Sequence, residues 1–268
     1  MLFFFDEIGG LPALVPATVA TFLGSARLMG MMIAFPLFTQ AQIEGFFRFA
    51  VVIAFSLPVI ISTFPNVADP VSIGWLRLLM LVLKEIVIGV ILGVAFALPF
   101  WAVQTVGDLV DSTRGATQSN VTDPINANEV SVFGSTLLVI GLLVFTVSDG
   151  LFTLLRALYE SYKAWPVLDF APVFTSDLVI GFGMLIAEMI RLGFIIGTPL
   201  LLGLFIVDLT LAFIGRLAGQ LQISDMGYTL KNLLFICLLP IYMMFFAHYI
   251  MPQFPKIADA GIRFLGFR

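Results

Sequence analysis

Three observations predict an all-α, polytopic membrane protein of long, kinked helices and helical hairpins. Sixty per cent of the 268 residues are apolar and only 11% are charged, too few polar side chains to coat a water-soluble globule. Apolar runs recur from one end of the chain to the other, each near or above the ~20 residues a helix needs to cross a hydrocarbon core of ~30 Å. The runs are unbroken, whereas the strands of a membrane barrel alternate over roughly ten residues. No room is left for a separate soluble domain, so residues 1–268 read as one membrane-embedded domain.

The first run extends from Leu11 to Phe38, interrupted by Arg27 and ending near Pro36; the second covers Phe46 to Phe64 and contains Pro58. The third, Ile73 to Val106, carries Arg77, Lys84 and Glu85, and a polar stretch from Gly107 to Glu129 follows it. Apolar sequence resumes from Val130 to Leu158 with Asp149 inside it, then breaks at Tyr159 to Asp177 around Trp165-Pro166 and Ala171-Pro172. The fifth run, Leu178 to Ile214, is too long for one straight span, and a kink or hairpin is expected near Pro199, because proline removes a helical hydrogen bond. The last run is Leu230 to Met251, and a short basic tail starts at Pro252. Met1–Phe5 is apolar but is followed by Asp6 and Glu7, where a secretory signal carries positive charge before its apolar stretch, so no cleaved signal is expected.

Composition excludes several functions. The pI near 4.9 and the scattered Lys and Arg residues provide no basic stripe for a phosphate backbone, so nucleic acid is not an expected partner. Cys237 is the single cysteine; it rules out an internal disulfide and reads as a small buried hydrophobe. His248 has no Cys or carboxylate cluster beside it, and no Walker loop or Gly-x-Ser-x-Gly elbow occurs. No catalytic residue, metal or cofactor is expected.

Charges inside the apolar runs are the first candidates for function: Arg27, Arg77, Lys84, Glu85, Asp149, Glu188, Arg191 and Asp208. Each costs roughly 2.5–3.5 kcal/mol at a helix centre and must face protein or water. Glu188 and Arg191, three apart, can pair on one helix face; the functional alternative is a proton or ion relay. Lys84 and Glu85 are adjacent, so they are expected to point apart and to seek different partners, on neighbouring helices or subunits or at a water-filled face. Asp149 and Asp208 raise the idea of an intramembrane aspartyl protease, two carboxylates sharing a proton, but Ser148-Asp149-Gly150 and Val207-Asp208-Leu209 carry no supporting signature. Gly89 and Gly93, followed by Ala97, form a small-residue ridge, and Gly193 with Gly197 repeats the spacing; such ridges let helices approach closely. Met29, Met31, Met32, Met243 and Met244 read as core filling before they read as a deformable seal.

With six spans, Arg48, Arg114, Arg216 and Lys231 fall on one side and Lys163, Lys256, Arg263 and Arg268 on the other, so the Lys/Arg bias that sets topology is absent. A chain finally enclosed in an assembly of several subunits need not obey that bias.

The polar stretch is the most distinctive segment. Gly107 and Gly115 supply flexible backbone, Asp111 and Arg114 are close enough to pair locally, and Gln118 to Thr122 offer neutral polar groups suited to a wet lumen. On these residues alone a connecting loop is the plainer reading. However, the run Val106-Gly107-Asp108-Leu109-Val110-Asp111-Ser112-Thr113-Arg114-Gly115-Ala116-Thr117, followed by Thr122-Asp123-Pro124, resembles the FliR/SctT family of type III export apparatus proteins, and more closely its injectisome branch. Further landmarks fall in family order: Arg27 with Pro36, Arg48, Pro58, Lys84-Glu85 with Gly89, Leu158 to Tyr162 ahead of Trp165-Pro166, and Arg216-Leu217-Ala218 with Gln220 and Lys231. Ala218-Gly219-Gln220 departs from the family's Ala-Pro-Gln.

The resemblance implies one subunit of a multi-subunit helical pore in the bacterial inner membrane, joined by R and S export-apparatus subunits and in contact with the U switch protein, the large export gate protein and lipid. Secreted proteins would be its substrates. It also implies that residues 107–129, with Gly107, Asp111, Arg114, Gly115, Gln118, Asp123 and Pro124 as markers, form a plug that closes the pore. Arg27, Lys84, Glu85, Gly89, Gly93, Glu188, Arg191, Gly193 and Gly197 are then packing or partner contacts. The alternative is a secondary transporter for a small solute, suggested by buried charges and proline-broken spans, although the halves show no convincing internal repeat.

Overall fold

The computed structural model describes residues 14–41, 45–67, 74–115, 131–170, 176–217 and 223–250. Among the described residues there is no strand, and eight α-helices follow one another: α1 (Leu14–Ala34), α2 (Pro36–Gln40), α3 (Gly45–Thr63, continued by a 3-10 turn at Phe64–Val67), α4 (Trp75–Thr113), α5 (Val132–Val147), α6 (Gly150–Ala164), α7 (Ser176–Leu217) and α8 (Ile223–Ile250). Five of them are long and apolar enough to cross a membrane, or six spans if α5 and α6 together make one bent crossing. The all-α, multi-pass architecture is as the sequence predicts.

Local chemistry sets the boundaries. Pro36 opens α2 and holds the preceding Phe35 extended at φ −86°, ψ 121°, which ends α1. Arg114-Gly115 ends α4, with Gly115 at φ 74°, the left-handed conformation that helix ends use to turn away. Ser131 caps α5: its Oγ accepts from the Gly134 N–H at 2.8 Å. The fourth apolar run is broken at Ser148-Asp149, where Asp149 adopts φ 58°, a conformation that Asp tolerates better than most residues.

Two expectations need correction. The hairpin considered at Pro199 does not form; α7 continues through it as one helix of 42 residues. The polar stretch does not begin as a loop at Gly107: residues 107–113 are the last two turns of α4, a helix of 39 residues. Both helices greatly exceed the ~20 residues of a single crossing. In an apolar setting the rest of the backbone keeps its internal hydrogen bonds because no water replaces them, so a single proline does not end the helix.

The described residues group into two compact units, one drawn from residues up to Ala97 and Phe152–Gly181, the other from Leu98–Leu151 and residues from Phe182 onward. In the first, α1 packs on α3, and Leu23, Val59, Val67, Leu81 and Val167 form a buried cluster. Two tyrosines of α6 fasten it, Tyr159 Oη donating to the Phe55 carbonyl at 2.7 Å and Tyr162 Oη to the Gly24 carbonyl at 2.9 Å. In the second, Phe133 meets Phe235 edge-on at 5.1 Å, and Phe100 meets Phe145 at 5.4 Å. In α3 and α8 only 17% of the spanning residues are buried by this chain, against 56% in α4. The outer helices therefore present apolar surface that the chain itself does not cover.

Cys237 lies on that outer surface of α8, exposed and not buried. The methionines divide: Met31 and Met32 are buried in the first unit, while Met244 is exposed.

Candidate functional site

Among the described residues, each unit contains one buried polar network. In the first, Arg27 of α1 and Glu85 of α4 are fully buried. Arg27 donates to Glu85 through Nε at 2.8 Å and Nη2 at 3.0 Å, to Ser161 Oγ through Nη1 at 2.8 Å, and to the Trp165 carbonyl at 2.8 Å. The Tyr162 ring lies 3.9 Å from the guanidinium carbon, a cation–π contact. Lys84 Nζ is 2.8 Å from Glu85 Oε1 and donates to the carbonyls of Pro166, Val167 and Asp169 at 2.8–3.0 Å.

The network joins two cations to one carboxylate. The remaining positive charge is met by four carbonyls from the turn just beyond the C-terminus of α6, where helix dipoles concentrate negative potential. Lys84 and Glu85 thus converge instead of pointing apart, and they are satisfied by this chain. Adjacent side chains leave the helix in different directions, but the four-carbon Lys stem is long enough to curl back. Tyr162→Phe should keep the stacked ring and lose only the bond to Gly24, at a cost of about 1 kcal/mol. A small drop in Tm in detergent checks it, and an unchanged Tm would show that the bond contributes nothing.

The second network gathers the chain on both sides of residues 116–130. Asp111, 1% exposed, receives Arg114 Nε and Nη2 on Oδ1 at 2.9 and 2.6 Å, and Ser131 Oγ and the Phe133 N–H on Oδ2 at 2.8 and 2.9 Å. Arg114 also donates to Asn232 Oδ1 at 3.1 Å and covers the Phe235 ring at 4.2 Å. Lys231 donates to the Thr113 carbonyl at 3.0 Å and pairs with Asp208 at 2.6 Å. Two cations and two carboxylates balance. The expected pairing of Asp111 with Arg114 is present. Asp208 serves Lys231, a role unrelated to a shared-proton dyad with Asp149.

Gly107 is a point of close approach, not a flexible joint: a Cβ there would strike the Gly134 backbone of α5. Gly115 faces the Tyr228 ring at similarly short range. Gln118, Asp123 and Pro124 lie outside the described residues. Gly89 and Gly93 seat α4 on α1, a Cβ at Gly89 meeting the Arg27 carbonyl and one at Gly93 lying 2.7 Å from the Met31 carbonyl. Gly193 differs: nothing lies nearer than 3.8 Å to its Cβ position. It borders an apolar cavity of about 360 Å³ between α4 and α7, lined by Trp101, Leu109, Ile186, Ile190 and Phe194 among others. Gly197 lies closer to its surroundings, 3.3 Å from Val106. Glu188 and Arg191 pair at 3.1 Å, as expected, and both are more than half exposed.

Ser131, Ser161, Tyr228 and Asn232 are members of these networks that sequence reasoning missed. Ser131 carried the one usable signal, a capping residue directly ahead of an apolar run.

Helices this apolar, with their buried charges used to tie one helix to another, define a multi-pass membrane protein built as a scaffold. Residues 18–257 match the family described as bacterial export proteins, family 1. The chain belongs to that family. It is 28% identical over 221 residues to the Yop proteins translocation protein T of Yersinia pestis, covering 81% of this chain and 83% of that one. It is 30% identical over 186 residues to the secretion system apparatus protein SsaT of Salmonella typhimurium, 68% and 69% of the two chains. Similarity extends to the flagellar biosynthetic protein FliR of Bacillus subtilis, 27% identical over 223 residues, 81% and 82% of the two chains. The FliR/SctT resemblance, with its injectisome branch, holds, and the protein is a multi-pass membrane component of a type III export apparatus. The small-solute transporter reading receives no support.

Proposed function

We propose that this chain is a structural and gating subunit of the export gate, shaping a channel through which unfolded proteins cross the bacterial inner membrane. It assembles there with R and S subunits, and it contacts the U switch protein and the large export gate protein; energy is supplied by other components. It acts as a scaffold and catalyses no reaction.

The observation that carries this reading is the surface of α7. Only 28% of its spanning residues are buried by this chain, and the exposed remainder includes the Glu188–Arg191 pair. An exposed ion pair on a largely apolar spanning helix is costly against lipid, whereas polar groups of a sister subunit or a wet lumen satisfy it. Apolar faces interrupted by a charge pair suit enclosure by other protein.

The plug is assigned to residues 107–129 in a restricted sense. Residues 107–113 are its helical stem, and residues from Gln118 through Asp123 and Pro124 supply the closing part. Deleting Gln118 to Thr122 should leave the assembled gate intact and raise ion leakage across the membrane, read as faster dissipation of the membrane potential in cells producing the complex. An assembled gate that leaks no more than the wild type would remove the plug from this segment.

A further inference from the structure

The network around Asp111 is graded in burial and in the number of bonds per group. Its inner part is closed: the Asp111 carboxylate holds four hydrogen bonds at 1% exposure and ties the end of α4 to the first turn of α5. Its outer part is thin. Lys231, itself 9% exposed, makes one bond to Thr113 and one ion pair to Asp208, whose side chain is 45% exposed, and Arg114 reaches α8 through one hydrogen bond to Asn232 and its contact with the Phe235 ring. A buried carboxylate with every position filled opens only with the surrounding fold, while an ion pair with one half-exposed partner opens locally.

We propose that this is a clasp with two tiers: Asp111 permanently fixes the stem of residues 107–113, and Lys231 is a releasable strut by which α7 and α8 hold or free that stem. Lys231 is suited to the task because its ammonium meets both neighbours at once, Asp208 on α7 and the last helical carbonyl of α4. Breaking the Asp208 pair leaves the bond to Thr113 to compete with water; breaking both leaves Arg114-Gly115 held to α8 by Asn232 and the Phe235 and Tyr228 rings alone. The inner tier is untouched by either event. Lys231 is thus a positioning residue whose engagement sets how firmly the plug is seated. This rests on the plug reading for its effect on conduction, but not for its structural content.

The test uses the whole complex purified in a gentle detergent, and the membrane potential of cells producing it. Amide hydrogen exchange is followed at Arg114 and Gly115, which close the last turn of α4 through bonds to Val110 and Ser112. Lys231→Met should accelerate their exchange roughly tenfold while leaving Phe133 protected, Asp208→Asn should produce a smaller change, and Lys231→Arg should restore wild-type exchange. The Lys231→Met gate should also leak more ions. Unchanged exchange in Lys231→Met, or Lys231→Arg as loose as Lys231→Met, overturns the clasp. Failure of both Lys231→Met and Asp208→Asn to accumulate also overturns it, since the outer tier would then belong to the folding core. Faster exchange without added leakage upholds the clasp and counts against the plug.

Discussion

Glu85→Ala is expected to prevent the protein from accumulating in the membrane. Glu85 is the single carboxylate between Arg27 and Lys84, and both it and Arg27 are fully buried. Its removal leaves two cations facing only carbonyls, Ser161 and the Tyr162 ring. Breaking a buried ion pair from one side costs about 3–5 kcal/mol, a large share of the roughly 5–15 kcal/mol that holds a folded domain together. The Arg27 interactions join α1 and α4 to Ser161 and Trp165, so the loss loosens several elements of the first unit together. Removing both members of the pair in Arg27→Met with Glu85→Met should be milder than Glu85→Ala alone, because one cation instead of two loses its carboxylate, and that one, Lys84, keeps its three carbonyl acceptors. Quantitative immunoblots of membrane fractions distinguish the cases. Glu85→Ala at wild-type abundance would show that the network is dispensable for folding.

The sequence announced that Arg27, Lys84 and Glu85 need partners, because their charge cannot face lipid, but not which partners. Ser161 and the carbonyls of Trp165, Pro166, Val167 and Asp169 carry no signature; any serine and any peptide group would look the same. The ring of Tyr162 beneath Arg27 is equally silent. Asp111 and Arg114 were legible as a pair because they are three residues apart in the chain, although the helix that carries them was not. Lys231 with Asp208 was not, since that pair depends on how α7 and α8 pack. Helix existence followed from apolar length, whereas helix continuity did not: Pro199 removes one hydrogen bond, and the apolar surroundings preserve the others. Gly107 shows the same limit, since a glycine's sequence neighbours do not reveal whether it serves a turn or, as here, the approach of another backbone.

Gly89 and Gly193 should respond in opposite ways to the addition of one methyl group. At Gly89 a Cβ would strike the Arg27 carbonyl, and at Gly93 it would come within 2.9 Å of the Ala34 Cβ. Both are backbone-seated contacts that cannot rotate away. Gly89→Ala must push α1 from α4 and drag Arg27 from Glu85, costing at least the 1–3 kcal/mol typical of overpacking, and Gly89→Val should be worse. At Gly193 the nearest atom is 3.8 Å away, so alanine fits, and the better helix propensity of Ala over Gly should favour the isolated chain by up to about 1 kcal/mol. A protein enclosed by sister subunits has a further constraint there. If a neighbouring helix seats on the Gly193 ridge, Gly193→Ala should raise the Tm of the lone chain in detergent while lowering the yield of assembled complex. A Gly193→Ala chain that gains stability and assembles normally would show that no partner helix relies on that ridge, and a Gly89→Ala chain of unchanged Tm would contradict the close seating of α4 on α1.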